Sequence, residues 1–240
     1  MEPFIIAECG VNWTSLDEAE SMIYLAAKAG ADAVKFQVYN KEQVAQHPAA
    51  DQLLNILLSP GDLKRLKTYS DNIGIEFMAT PMYLGAVEML EEIGVTRYKI
   101  READCIYIPL LTAVMNTGKQ IIISSNRVPA ALTRFIYENR LLPVTNTVHM
   151  YCIPKYPPEL LDFHKSPIQY YTGGYYGYSN HFPTPESILI AAARGCKFFE
   201  IHAKLNHTTP LDDAVSLTFK ELENTIIKIK QISLYVGDSL

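Results

Sequence analysis

One joint recurs along this chain and narrows what it can fold into: a helical stretch, a glycine, then a short apolar run. Ala29-Gly30-Ala31-Asp32-Ala33-Val34-Lys35 is the first case, and the joint returns at Gly74, Gly94, Gly118 and Gly195. A glycine just past a helix supplies the left-handed C-terminal cap, and apolar runs of this length read as buried parallel strands. Repeated βα units of this kind predict an α/β fold, specifically a (β/α)8 TIM barrel, in which reactive groups gather at the C-terminal ends of the strands. Those ends carry Glu8, Lys35, Lys99, Ser124, His181 and His202, a set that points to an enzyme.

The length agrees: 240 residues is close to the ~250 typical of one such barrel, so the prediction is a single domain over residues 1–240. A net charge of −5, with no Lys/Arg run longer than a pair, argues against a nucleic-acid partner. Cys9, Cys105, Cys152 and Cys196 are widely spaced and read as buried, reduced thiols of a cytoplasmic protein. No basic leader opens the chain and no apolar stretch approaches a membrane span, so neither export nor membrane association is expected.

Strands are predicted at residues 4–7, 33–37, 76–79, near Ile100 and Ser124, and at 144–151, 175–178 and 198–201. Ser15 with Glu18 forms a capping box, Ser59-Pro60 opens a helix, Thr80-Pro81 stops a strand, and Thr184-Pro185-Glu186 caps another helix. Residues 39–58 read as a loop covering the barrel mouth, 159–165 as a short helical piece within an irregular stretch from 151 to 177, and 219–234 as the closing helix.

At the strand ends, His181 and His202 fall on neighbouring strands, ~4.8 Å apart in a parallel sheet. They can converge on one divalent metal, Mn²⁺, Mg²⁺ or Zn²⁺, with Glu8 and Asp212 nearby. The alternative is two unrelated histidines bonded to loop backbone. Lys35 and Lys99 make either an anion clamp for phosphate or carboxylate, a Schiff-base lysine, or surface salt bridges. Trp13 and the tyrosines from Tyr170 to Tyr178 read as loop packing or as a sugar-stacking surface. His47, His149, His164 and His207 carry no comparable placement.

Residues 5–12 (IIAECGVN), 29–37 (AGADAVKFQ), Thr80-Pro81, Tyr98-Lys99-Ile100, Ile108-Pro109-Leu110-Leu111, Tyr156-Pro157, 177–181 (GYSNH) and 200–202 (EIH) lie in order along nearly the whole chain. Together they resemble the catalytic barrel of the sialic acid synthase family, enzymes that condense phosphoenolpyruvate with an N-acetylhexosamine. The resemblance implies that His181 and His202 bind a divalent metal, Mn²⁺ or Mg²⁺. It implies that Lys35, Thr80, Lys99, Ser124 and Tyr156 hold phosphoenolpyruvate, that Glu8 and Asp212 act near sugar and metal, and that Asn12, Gln37 and Asn180 contact substrate.

Several positions depart from the family pattern. Ala-Ser-Gly-acidic becomes Arg101-Glu102-Ala103-Asp104, Ser-Thr-Gly-Met becomes Ser124-Ser125-Asn126-Arg127, and His-Cys-Thr-Ser becomes Tyr151-Cys152-Ile153-Pro154. A C-terminal antifreeze-like domain is not matched, so the expectation is a homodimer or a separate lid protein. Two functions follow: a divergent synthase joining phosphoenolpyruvate to an open-chain aldose, or a barrel that has lost this reaction and handles another sugar acid or carbonyl compound. Glu102 separates them, because a carboxylate pointing into the anion site would repel phosphate.

Overall fold

The computed structural model describes residues 1–127, 129–139, 146–166, 176–206 and 211–236. Its elements alternate as β1 (Phe4–Gly10), α1 (Leu16–Ala29), β2 (Ala33–Val38), α2 (Lys41–Val44), α3 (Ala50–Asn55), α4 (Pro60–Ile73), β3 (Glu76–Pro81), α5 (Leu84–Glu92) and β4 (Arg97–Ile100). Then come α6 (Ile108–Met115), β5 (Gln120–Ser125), α7 (Pro129–Glu138), β6 (Thr147–Cys152), α8 (Leu160–His164), β7 (Gly177–Asn180), α9 (Glu186–Ala193), β8 (Phe198–Lys204), β9 (Leu217–Thr218) and α10 (Phe219–Val236). The strands pair in parallel in the order β3-β2-β1-β8-β7-β6-β5-β4, with the two-residue β9 added to β8 beyond the eight expected. β3 and β4 lie side by side at the seam without a ladder, so the barrel is nearly closed. The five joint glycines all take positive φ, between 70° and 90°, as the opening motif requires.

Strand alternation explains where the polar groups surface. Side chains two apart on a strand share a face. On the barrel interior, Ile6, Ala33, Met78, Ile122, Met150 and Phe198 form a buried apolar layer. Two residues further toward the C-terminal ends stand Glu8, Lys35, Thr80, Ser124, Cys152 and Glu200. The same columns thus change from apolar to charged in one step, leaving an apolar floor under a polar mouth. Below the floor, the Arg97 guanidinium lies 4.4 Å from the Phe4 ring and bonds Glu76 and Gln120, plugging the opposite end.

Several local expectations need correction. β3 ends at Pro81, two residues beyond the expected Ala79: Thr80 and Pro81 pair opposite Gln37 and Val38, and Met82 N donates to Val38 O, so the missing proline N–H breaks no ladder bond. Residues 39–58 hold the helices α2 and α3 rather than an irregular loop; the Asn40–Gln43 capping box starts the first of them. Ser15 caps α1, but the Glu18 carboxylate turns back to the Thr14 amide and hydroxyl. Pro185 precedes α9 with no side-chain cap. Ser59 and Pro60 open α4 with a full capping box, as read from the sequence. The four cysteines are free and buried. Val144, His207 and the tyrosines from Tyr170 to Tyr175 lie outside the described residues.

Gly177 marks the tightest packing. A Cβ there would sit 2.6 Å from Phe198 O and 2.9 Å from Met150 Cγ, squeezed between two strands of the floor. Gly177→Ala is therefore expected to destabilise the barrel by ~1–3 kcal/mol, read as a fall in the thermal midpoint. An unchanged midpoint would mean that the β6–β7–β8 contact relaxes freely.

Candidate active site

The register of the central strands assembles the site. Glu8 lies level with Lys35 on one side and His202 on the other, Gln37 is level with Thr80, and Ser179 with Glu200. Lys35 Nζ is 2.6 Å from Glu8 Oε2, 3.6 Å from Glu200 Oε2, and donates to Thr80 Oγ1 at 2.9 Å. Lys99 Nζ is 3.2 Å from Glu200 Oε1, which also accepts from Ser179 Oγ at 2.9 Å. Gln37 Nε2 donates to Glu8 Oε1 at 3.1 Å. Glu8, Lys35, Lys99 and Glu200 are each no more than 4% exposed. At that burial, the surface salt-bridge reading of the lysines is excluded.

Buried charges of opposite sign here face one another and offset the cost of leaving water. Burial works against the Lys35 ammonium, yet Glu200 and Glu8 together raise its pKa. For Lys99 burial wins, reinforced by Lys35 against the pull of Glu200, and its pKa is lowered. Burial also opposes the Glu200 carboxylate, but Lys35 and Lys99, with His202 and Ser179 behind them, hold it at about 2. A depressed carboxyl contributes stability that is complete above the ordinary glutamate range and is lost as pH falls through that range toward about 2. Thermal midpoints are expected to drop across this window in the wild type and to drop less in Glu200→Gln; parallel curves would remove Glu200 from the account.

The histidines stand beside this network. Their rings are 5.5 Å apart, and Tyr156 stacks on His181 at 4.1 Å while meeting His202 edge-on at 5.7 Å. His181 Nδ1 lies 2.6 Å from Ile153 O, and its Nε2 lies 2.9 Å from the Tyr156 hydroxyl. The backbone carbonyl fixes the proton on Nδ1, so Nε2 is the acceptor and faces the Tyr156 hydroxyl. Burial, then the neighbouring His202, lowers His181 to about 4, so it is neutral at neutral pH. His202 Nδ1 lies 3.3 Å from Asp212 Oδ2, an ion-pair contact whose alignment falls short of a hydrogen bond. Burial disfavours its charged form, but Asp212, then Glu8 and Glu200, raise its pKa overall.

Among the described residues no group of three or more His, Cys, Asp and Glu side chains is arranged around a metal position. The chain offers two imidazoles, each with one nitrogen facing an acceptor. That donor set fits an open divalent site whose remaining positions come from substrate or water.

A cavity of about 570 Å³ opens over these groups, lined at its base by Glu8, Lys35, Thr80, Lys99, Glu200 and His202, with Asp212, Gln37 and Tyr156 at its sides. Gln43, Val44, His47 and Leu53, all from 41–55, form a wall of the cavity. Not every expected substrate contact reaches it. Asn12 gives both amide hydrogens to Ala203 O and Ser216 Oγ and accepts from Asp212 N, so it holds the Asp212 loop against β8. The Asn180 amide is likewise spent on Phe182 and Ser187. Ser124 is buried at the end of β5, its Oγ without a partner among the described residues. Trp13 is packing: its ring meets Phe36 edge-on and its N–H donates to Gly10 O.

Glu200 is the residue that sequence reasoning did not assign, although its signal was present. It sits two before His202 in Phe198-Phe199-Glu200-Ile201-His202, hence on the same interior face. Glu102, by contrast, is not among the described residues lining the cavity. Its charge instead helps raise Cys105 and Cys152, both governed first by burial, the latter to about 12.

The structure is thus a parallel barrel with paired lysines, carboxylates and two imidazoles buried at its C-terminal mouth. The chain belongs to the NeuB family, whose model it matches over residues 22–240. It is 30% identical to an uncharacterized protein of Methanocaldococcus jannaschii over 98% of this chain and 72% of that one. It is 27% identical to the N,N'-diacetyllegionaminic acid synthase of Legionella pneumophila over 99% of this chain and 74% of the relative. The crystal structure of an N-acetylneuraminic acid synthetase from Leptospira borgpetersenii, in complex with citrate, superposes with a TM-score of 0.88 at 28% identity, covering 99% of this chain and 86% of that one. Among the described residues no helix is long and apolar enough to cross a membrane.

Proposed function

We propose that this chain joins phosphoenolpyruvate to the aldehyde carbon of an open-chain aldose, of the N-acetylhexosamine type, with release of phosphate. What supports the reading most is the single cavity in which Lys35, Lys99, Thr80, Glu8 and His202 converge, with the His181 ring 5.5 Å from that of His202. Lys35 and Lys99 neutralise the anionic donor, with the Thr80 hydroxyl held by Lys35 as a further contact. His181 and His202 would hold a divalent metal, which when bound polarises the aldose carbonyl as a Lewis acid.

The methylene carbon of phosphoenolpyruvate attacks the aldehyde carbon: a C–C bond forms, the carbonyl pair moves to the aldose oxygen, which takes up a proton, and C2 becomes cationic. Water adds to C2, losing one proton to the Glu8 carboxylate; the resulting C2 hydroxyl gives up its proton as the C–O bond to phosphate breaks, leaving a 2-keto sugar acid and phosphate. Gln37, bonded to Glu8 Oε1, keeps that carboxylate aimed at the cavity. Asp212 steadies the His202 ring, and the apolar floor excludes water from below.

Calorimetric titration of phosphoenolpyruvate into the protein with Mn²⁺ present tests the reading. Saturable binding is expected, and its absence would leave a barrel that handles some other sugar acid or carbonyl compound.

A further inference from the structure

We propose that Arg101 is a phosphoryl-binding residue of this cavity; the assignment rests on the function proposed above. The residues on the interior face of β4 recur every second position: Arg97 at the plug, Lys99 at the base of the cavity, and then Arg101. Arg101 continues in extended conformation, φ −75° and ψ 163°, and lines the cavity with Lys99. It therefore emerges one step above the buried lysine, toward the entrance.

Each buried lysine already faces a carboxylate, Lys35 with Glu8 and Lys99 with Glu200, so an anionic donor bound by them gains from a further N–H donor at the rim. Arg101 directs only its Nε at the Asp104 carboxylate. Its two terminal nitrogens have no other partner among the described residues, and 41% of the side chain is exposed. A guanidinium anchored by Nε presents the remaining N–H groups as a fork, the geometry that phosphate accepts in bidentate fashion.

The neighbouring Glu102 is not among the described residues lining the cavity, so the side chain that the end of β4 presents at the rim is the guanidinium.

The test is calorimetry of phosphoenolpyruvate and of pyruvate, with Mn²⁺ present, on the wild type and on Arg101→Ala. The side chain is part-exposed, so alanine leaves no buried hole; an unchanged thermal midpoint checks this. The expected result is phosphoenolpyruvate affinity weakened ~10-fold or more with pyruvate affinity unchanged. Arg101→Lys, keeping charge but not the fork, should recover part of the loss. Equal affinity of wild type and Arg101→Ala for phosphoenolpyruvate overturns the assignment alone, as does an equal loss for both ligands. No binding of phosphoenolpyruvate by the wild type overturns it together with the proposed function.

Discussion

Replacing Glu200 by glutamine is expected to destabilise the barrel by ~3–5 kcal/mol, the range for breaking a buried ion pair from one side. For a chain of this size that corresponds to a thermal midpoint lower by roughly 6–20 °C. Glutamine keeps the volume and a hydrogen-bond acceptor for Ser179, so packing is preserved. What disappears is the single carboxylate shared by Lys35 and Lys99. Lys99, whose pKa burial already lowers, is then left without its counter-charge. A double-mutant cycle separates charge from shape. Glu200→Gln combined with Lys99→Met should be more stable than Glu200→Gln alone, because the uncompensated ammonium is gone. If the two losses add, Glu200 acts through packing rather than through charge.

The second large effect concerns the histidines. His181→Ala and His202→Ala are each expected to weaken Mn²⁺ binding on the order of 100-fold or more, measured by calorimetry or by the electron paramagnetic resonance of free Mn²⁺. Both rings lie at the polar mouth above the floor of Ile6, Met78, Ile122 and Phe198, so the barrel should remain folded in both variants. Asp212→Asn should have a smaller effect, since Asp212 orients His202. Unchanged Mn²⁺ affinity in either histidine variant would return the pair to the alternative of two imidazoles serving only the loops.

The barrel was legible because its signals are local. Helix-terminal glycines, the Ser59-Pro60 opening and apolar runs each act within a few residues. The strand-end groups were legible for the same reason, since alternation of two on a strand carries Ile6 to Glu8, Ala33 to Lys35 and Phe198 to Glu200. Applied to its end, that rule would also have assigned Glu200 and Arg101. The partners of Asn12 were not legible: Ala203, Asp212 and Ser216 are about two hundred residues away and meet it only because β1 and β8 pair to close the barrel. The conformation of 39–58 was hidden for a different reason. Its short helices, four and six residues long, carry little periodicity of their own, and their apolar residues Val44 and Leu53 are buried against the cavity region.

The departures from the family pattern separate into two groups by position. At the β6 end, Ile153 lacks the polar side chain of the pattern, yet its carbonyl oxygen still faces His181 Nδ1. That role needs only the backbone, so the substitution leaves it intact. At the β4 end Arg101 lines the cavity with Lys99, while Glu102 is not among the described lining residues.

The most direct test of the whole account is turnover: incubate the protein with phosphoenolpyruvate, Mn²⁺ and a panel of N-acetylated and deoxy aldoses, and measure inorganic phosphate together with the product mass. The account predicts phosphate released in equal amount to a new 2-keto sugar acid for at least one aldose, with both lost on chelation of the metal. Phosphoenolpyruvate that binds but is never consumed, with every aldose returned unchanged, would contradict it.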